Sequence, residues 1–493
     1  MSEYIIQGET LTGIADAIRS KASLTQAFTP AEMIDAIENM VIGTSANLSS
    51  VTFSANGIYT PGTGYDGFYC VTVDVPVSAD AGYSLFKGIV EGSISEITDT
   101  IGQVSSIRPY AFRDITEIAS VAFPAVKSIG SYAFQSCTSL ATVDFPLCET
   151  IQVGAFQGCA RLSDVSIPSV TTVGALAFQY CYRLQEADFP YLSQANYNAF
   201  NGCSNLVSVN MPLLESVGNQ MFEGCINLSR IDFPNVFYVG ACAFYNCSRL
   251  SEFSLPAVTA VNSHAFRSCT MLYSAVLPSC STVGSYAFYL CSNLQYADLP
   301  VCTVVGANAF LNCSSLSNVN IPLARSISNG AFGGCTSLRS VAFPSLSTLM
   351  GTSVFSNCTN LAFADLPSLE RIPSSTFLGC TALAEVNIPG VSALLTSAFA
   401  SCAALSTISL PSVGSIAAGA FMSCVTLTAL YLLSTSVVTL ANVNAFTNTP
   451  ISESTLTGDF GSIYVPESLV SAYQSATGWS TYSARITAYM EGT

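Results

Sequence analysis

Charge is what this chain has least of. Of its 493 residues only 9% are Asp, Glu, Lys or Arg, against about a quarter in an ordinary globular protein. The surface is therefore expected to be built largely from Ser, Thr, Asn, Ala and Tyr. Positive charge is the scarcer sign: 15 Lys and Arg face 31 Asp and Glu, for a net charge of −16. Phosphate recognition needs clustered Lys and Arg, and an acidic chain is repelled by anionic headgroups. Neither nucleic acid nor a membrane surface is an expected partner. Histidine occurs once, at His264, and tryptophan once, at Trp479. A serine or cysteine nucleophile would have to find its base in that single histidine. The chain has no Gly-x4-Gly-Lys-Ser/Thr phosphate loop and no Cys-x-x-Cys pair. No catalysis, cofactor or metal is expected.

Long apolar runs are missing too. Half of the residues are apolar, yet Ser and Thr keep interrupting them. Residues 386–452 contain no Asp, Glu, Lys or Arg, but they lack the roughly 20 successive apolar residues of a membrane span, so no membrane insertion is expected. The start, MSEYIIQGETLTG, has no basic region followed by an apolar core and cleavage site, and does not read as a secretory signal. No lipidation box ends the chain.

Self-similarity is what the chain has in abundance. IGSYAFQSCTSL ends at Leu140, VGALAFQYCYRL at Leu184 and VGANAFLNCSSL at Leu316. A phenylalanine returns every 22 residues from Phe112 through Phe134 and Phe156 to Phe332, shifts by one residue near Met350, continues from Phe355 to Phe421, and slips to Phe446. Three residues after most of these stands a cysteine, fourteen in all from Cys137 to Cys424, and six after stands a leucine. Pro124, Pro146, Pro234, Pro300, Pro411 and their equivalents close the units. A fixed period of this size marks a solenoid of stacked identical folding units. About 15 coils of 22 residues, with strands about 4.8 Å apart, predict a rod of roughly 70 Å.

Within a unit, Leu140, Val143 and Phe145 alternate as a short strand with one inward face, and Pro146 stops it because proline cannot donate to the ladder. The next segment, residues 148–162, reads as a compact turn or short helical piece. Every repeated cysteine then points into the core beside its copies. That spacing admits disulfides, but buried free thiols acting as small hydrophobes are expected, since Cys148, Cys280 and Cys302 stand where other units have Val170, Val236 or Val258.

These units resemble the BspA-like leucine-rich repeats, whose signature is the run x-I-G-x-x-A-F-x-x-C-x-x-L-x-x-V-x-(F/I/L)-P, over about 340 of the 493 residues. The resemblance implies a right-handed β-rich solenoid used for adhesion or protein interaction, without catalysis.

The ends differ from the repeat. In residues 1–42, Leu11, Ile14, Ala15 and Ile18 share a helical face, and Thr29-Pro30-Ala31-Glu32 forms a capping box with proline at the first helical position. This is a helical attachment segment that must dock on something, another copy of the chain included. In residues 43–85, Tyr69, Val71, Val73 and Val75 alternate with polar residues, and Asn56-Gly57 and the run 61–67 supply turns, which predicts a small antiparallel β module. The pair GETLTGIADAIRSK…TPAEMIDAI and SANGIYTPGTGYDGFYCVTVDVP resembles N-terminal modules of phage and prophage structural proteins, chiefly tail-associated ones. That resemblance implies a virion protein, on the phage tail or surface, synthesised in the host cytoplasm. It would be anchored to other virion proteins through its N-terminal region, form a homo-oligomer, and bind a host-surface protein or glycan. The solenoid itself spans residues 86–452, its first segment, 86–111, serving as a cap. Residues 453–493 form a C-terminal cap with a last strand at 461–465, helices at 467–476 and 480–490, and Trp479 as its pin, a binding role for that ring being the alternative.

Aromatic residues at otherwise small positions are the binding candidates. Tyr180, Tyr182 and Tyr191 crowd one coil, Tyr245 and Tyr289 occupy one position two coils apart, and Tyr296 follows nearby. Tyrosine offers rigid contact area with a polar tip, suited to protein or glycan. The outward strand position holds Asp144, Asp188, Asn210, Asp232, Asp298, Asn320, Asp365 and Asn387; Asp188, Asn210 and Asp232 have a spacing that calcium would accept, but a solvated strand face accounts for them. The uncharged stretch 386–452 is either an interface or simply composition. Two other roles stay open: a structural virion subunit of tail, baseplate or head decoration, and a bacterial cell-surface adhesin.

Overall fold

The computed structural model describes residues 96–99, 104–452 and 461–490, together with the backbone of two strands, Val51–Asn56 and Phe68–Val73. Those strands pair antiparallel, Val51 opposite Val73 and Asn56 opposite Phe68. The helical segment expected at 1–42 lies outside the described residues.

The described repeats fall into two compact units, 96–214 with 221–228, and 215–220 with 229–490. Both are parallel β-solenoids, with about 17 turns of about 22 residues between them, two more than the sequence period suggests. The surplus lies at the ends. Glu96–Thr98 pairs in parallel register with Ser120–Ala122, so the segment read as a cap already belongs to the ladder. At the far end Ser462–Pro466 and Ile486–Tyr489 add further strands.

In the first unit, a turn supplies a three-residue strand such as Thr142–Asp144 and a two-residue strand such as Thr150–Ile151. The proline sits between them for a reason of bonding. Phe145 still donates its N–H to Ser166 O of the next turn at 2.8 Å, Pro146 has no N–H to give, and Cys148 N–H folds back to Phe145 O at 3.1 Å. The three-residue strands from Glu96–Thr98 to Asp164–Ser166 form one parallel sheet, and the two-residue strands from Ser106–Ile107 to Gln194–Ala195 form the other.

The third side of each turn is not helical, contrary to one of the two readings of that segment. Ala133, Gln135 and Cys137 donate to Gly130, Tyr132 and Phe134 within the turn, while Tyr132, Phe134 and Ser136 donate to Val153, Ala155 and Gln157 of the next. A helix would keep all of these bonds to itself; here half of them join neighbouring turns. The geometry requires a left-handed residue every fourth position, Tyr132 (φ 57°) and Ser136 (φ 60°) in this turn, each at the second central place of a type II turn.

The second unit repeats this plan. Its two-residue strands run as an unbroken seven-stranded sheet from Ser216–Val217 to Thr348–Met350, then as four strands from Arg371–Ile372 to Thr439–Leu440. The other face is cut into short sheets, one of them Ser274–Val276, Tyr296–Asp298 and Asn318–Asn320, the next Ser340–Ala342, Phe363–Asp365 and Glu385–Asn387.

Each core is a column of phenylalanines. In the first unit the rings from Phe112 to Phe222 stack with centroids 5.0 to 5.5 Å apart. In the second, Phe244 to Phe446 stack at 5.1 to 5.7 Å. The extra residue near Met350 does not break the column, because Gly351 (φ 130°) absorbs it in a conformation closed to side chains. Phe446 ends the stack, with Tyr482 edge-on at 5.4 Å and Trp479 at 6.0 Å. Trp479 is fully buried and donates its indole N–H to Val438 O at 2.6 Å, so it pins the cap and offers nothing to a ligand. The helix expected over 480–490 is instead a 3-10 segment, Trp479–Arg485, followed by the strand Ile486–Tyr489. The strand forms because Ile486 can continue the inward row by pairing with Ile463. Among the described residues the one α-helix, Val470–Ser475, is far too short to cross a membrane.

Candidate recognition surface

The repeated thiols belong to the core. Eighteen described cysteines are free, and all except Cys242 are buried. Most ladder thiols donate to the phenylalanine carbonyl of the preceding turn, as Cys137 does to Phe112 O at 2.9 Å and Cys203 to Phe178 O at 3.1 Å. Cysteine thus fills a small apolar space and also satisfies a buried acceptor. Burial pushes Cys148 up to about 11, and Cys203 and Cys302 up to about 12, so thiolate is scarce near neutrality.

The hydroxyl-rich exterior has its own bonding logic. Thr259 Oγ1 donates to Phe237 O, Ser281 Oγ to Thr259 O and Thr303 Oγ1 to Ser281 O, each one turn back and 3.1 to 3.3 Å long. Ser392, Thr426 and Thr428 do the same within the uncharged stretch. Short hydroxyls tie neighbouring turns together, which long charged side chains could not do.

Against this background the tyrosines stand out. In the first unit Tyr180 and Tyr182 are 43% and 47% exposed, their rings 5.9 Å apart. Tyr180 holds a left-handed position (φ 62°) and its ring covers Gly202, where a Cβ would come within 2.6 Å of Tyr180 Cδ1. Tyr191 is 60% exposed but follows Pro190 at the corner of the turn, separate from that pair. Through Gln179, the residue before Tyr180, runs an amide ladder: Gln135 donates to Gln157, Gln157 to Gln179, Gln179 to Asn201, and Asn201 to the Glu223 carboxylate.

In the second unit Tyr245 and Tyr289 are half-buried and hold Arg267 between them, its guanidinium carbon 5.2 and 5.1 Å from the two ring centroids. Arg267 Nη1 donates to His264 Nδ1 at 3.3 Å, and the His264 ring stacks on Tyr286 at 4.9 Å. Partial burial, then the Arg267 charge, lower the His264 pKa. The lone histidine is therefore a neutral acceptor in a cation–π cluster. Sequence reasoning singled out the tyrosines and passed over Arg267, although it lies 22 residues from each of them, at the same repeat position.

Tyr296 belongs to a different face. It opens the strand Tyr296–Asp298, whereas Tyr289 sits seven residues earlier on the third, non-helical side of the turn, the turn ribbon. The acidic stripe is tempered by pairing: Asn210 donates to Asp188, Asn320 to Asp298 and Asn387 to Asp365, all at 2.7 Å. Among the described residues no group of His, Cys, Asp and Glu is placed to hold a metal ion.

Stacked short parallel strands, with a proline-turned corner and a Phe–Cys–Leu core in most turns, define a leucine-rich-repeat β-solenoid. The profile of the BspA type leucine rich repeat region (6 copies) matches residues 82–207, 193–316, 238–362, 303–428 and 348–466, and the chain belongs to this family. Among solved structures it is similar to a leucine-rich repeat protein from Bacteroides ovatus ATCC 8483, at 22% identity over 79% of this chain and 88% of that one, with a TM-score of 0.49. It is also similar to a leucine rich cell surface protein from Faecalibacterium prausnitzii A2-165, at 23% identity over 67% and 94% with a TM-score of 0.36. The pneumococcal vaccine antigen PcpA matches at 13% identity over 81% and 89%, with a TM-score of 0.34. No curated protein matches the sequence.

Proposed function

We propose that this chain is a non-catalytic virion protein, mounted on a phage tail by its N-terminal region, whose solenoid binds a protein or glycan on the host surface. The observation that carries the recognition half is the Tyr180–Tyr182 pair, two exposed rings held 5.9 Å apart on one turn. Rigid rings with polar tips give contact area at small entropic cost. Among the described residues every thiol but that of Cys242 is buried and His264 is engaged by Arg267, which supports a role without catalysis. The virion half rests on the resemblance of the two N-terminal motifs.

The full chain, labelled at amines, is expected to decorate cells of a susceptible bacterial strain, and Tyr182→Ala is expected to weaken adsorption at least several-fold while melting as the parent does. Unchanged adsorption would remove that pair from the recognition surface. Purified phage particles are expected to contain the chain. Its recovery in the cell envelope and not in particles would replace the virion reading with that of a bacterial adhesin, and particles that hold it without any adsorption by the free chain would make it a structural subunit.

A further inference from the structure

The strand face of the second unit carries a recess that the turn-ribbon tyrosines do not touch. The ladder on this face stops after Asn318–Asn320 and starts again at Ser340–Ala342. Inside an uninterrupted sheet the middle residue of a strand is buried, as Ala297 and Ala364 are. At the interruption Val319 is only half-buried. Tyr296, Asn318, Val319, Asn320, Ser340 and Ala342 line an open recess there of about 390 Å³, within the size range of small-molecule sites. Tyr296 lies opposite Asn318 and Asp298 opposite Asn320 in the parallel register. The Asn320 amide is fixed by its bond to Asp298 Oδ1 at 2.7 Å. Partial burial, and then the Asp298 carboxylate, raise the Tyr296 pKa, so its phenol keeps its proton.

We propose that this recess binds one ring of a neutral sugar, which names the ligand class for the recognition reading above and rests on it. A pyranose presents an apolar face of C–H groups and a rim of hydroxyls that both donate and accept. Polar atoms make up most of the lining, which suits the hydroxyl rim, and the Tyr296 ring, Val319 and Ala342 add a smaller apolar share for the C–H face. The amides of Asn318 and Asn320 and the hydroxyl of Ser340 both donate and accept, and the Asp298 carboxylate accepts only. None of the lining residues is cationic and the Asp298 carboxylate adjoins them, which disfavours an acidic sugar or phosphate.

Saturation-transfer NMR with the full chain tests this, using the methyl glycosides of glucose, galactose, mannose and N-acetylglucosamine as probes and methyl glucuronide as the acidic control. Transfer to the ring C–H protons of at least one neutral glycoside is expected, and none to the glucuronide. Tyr296→Ala and Asn320→Ala should each reduce it at least tenfold, Tyr296→Phe should retain most of it, and Tyr182→Ala should leave it intact, with melting curves confirming that all variants fold. No transfer to any neutral probe, transfer that persists in both alanine variants, or preference for the glucuronide overturns the assignment. So does loss of cell adsorption in Tyr296→Ala without sugar transfer, which would make the recess a protein-docking site. Cell adsorption without sugar transfer defeats this assignment alone; sugar transfer without adsorption defeats the receptor-binding reading alone.

Discussion

At the scale of the residue, phenylalanine and cysteine work as partners in the core. Phe178 stacks on Phe156 and Phe200 at 5.3 and 5.2 Å, and its carbonyl accepts from the Cys203 thiol. Phe178→Ala removes a ring that the neighbouring turns cannot collapse onto, and is expected to cost about 3 to 5 kcal/mol in denaturant unfolding; a loss below about 1 kcal/mol would contradict the column as the source of stability. The thiols also set a pH limit. Cys148, Cys203 and Cys302 sit at about 11, 12 and 12 when folded, above the ordinary value of 9.0. A group whose proton is held more tightly in the folded state contributes its full share below the unfolded pKa and loses it as pH rises through the folded one. Stability is therefore expected to be insensitive to the thiols below pH 9 and to fall between about 9 and 12. A urea midpoint that stays flat to pH 11 would show that burial does not govern them.

At the scale of the element, the turn ribbon behaves as a third ladder. Its alternate N–H groups bond between turns, and its side chains form ladders of their own, amides in the first unit and Tyr–Arg–Tyr in the second. Gln157→Leu interrupts the amide ladder, leaving the Gln135 donor and the Gln179 acceptor without their partner, and is expected to cost about 1 to 3 kcal/mol; thermal melting at equal concentration measures it. Because each turn meets chiefly its neighbours, removing one complete period, residues 259–280, should leave the far-UV CD spectrum per residue and a cooperative melt in place. Removing seven of those residues moves the next phenylalanine, Phe288, to the exposed place of Ser281 and should abolish both.

At the scale of the molecule, a repeat array unfolds piecewise more readily than a globular domain does. Trp479, the one tryptophan, is buried in the C-terminal cap against Phe446 and Tyr473, so its fluorescence reports that end alone. The fluorescence transition in urea is expected at lower denaturant than the far-UV CD transition, and coincident midpoints would show that the cap melts with the body. With charge at 9% of residues and tyrosines as the proposed contacts, adsorption to cells should change little between about 50 and 500 mM salt, where surface ion pairs are screened.

The period by itself determined the solenoid, the strand before each proline, and the burial of Phe, Cys and Leu. All of these follow from which side chains recur at which spacing, and burial is written directly into that pattern. The same pattern says little about how a backbone is bonded or turned. Tyr132 and Ser136 give no sign that they must be left-handed, because that demand comes from the next turn taking every second amide. Ile486–Tyr489 reads as helix until Ile463 offers it a ladder. Tyr289 and Tyr296 look like neighbours in one patch, and only the closing of the turn between them sends one to the ribbon and the other to the strand face. The interruption after Asn318–Asn320 that exposes the recess beside Tyr296 is likewise a property of two strands failing to meet, decided by tertiary packing and carried by no single residue.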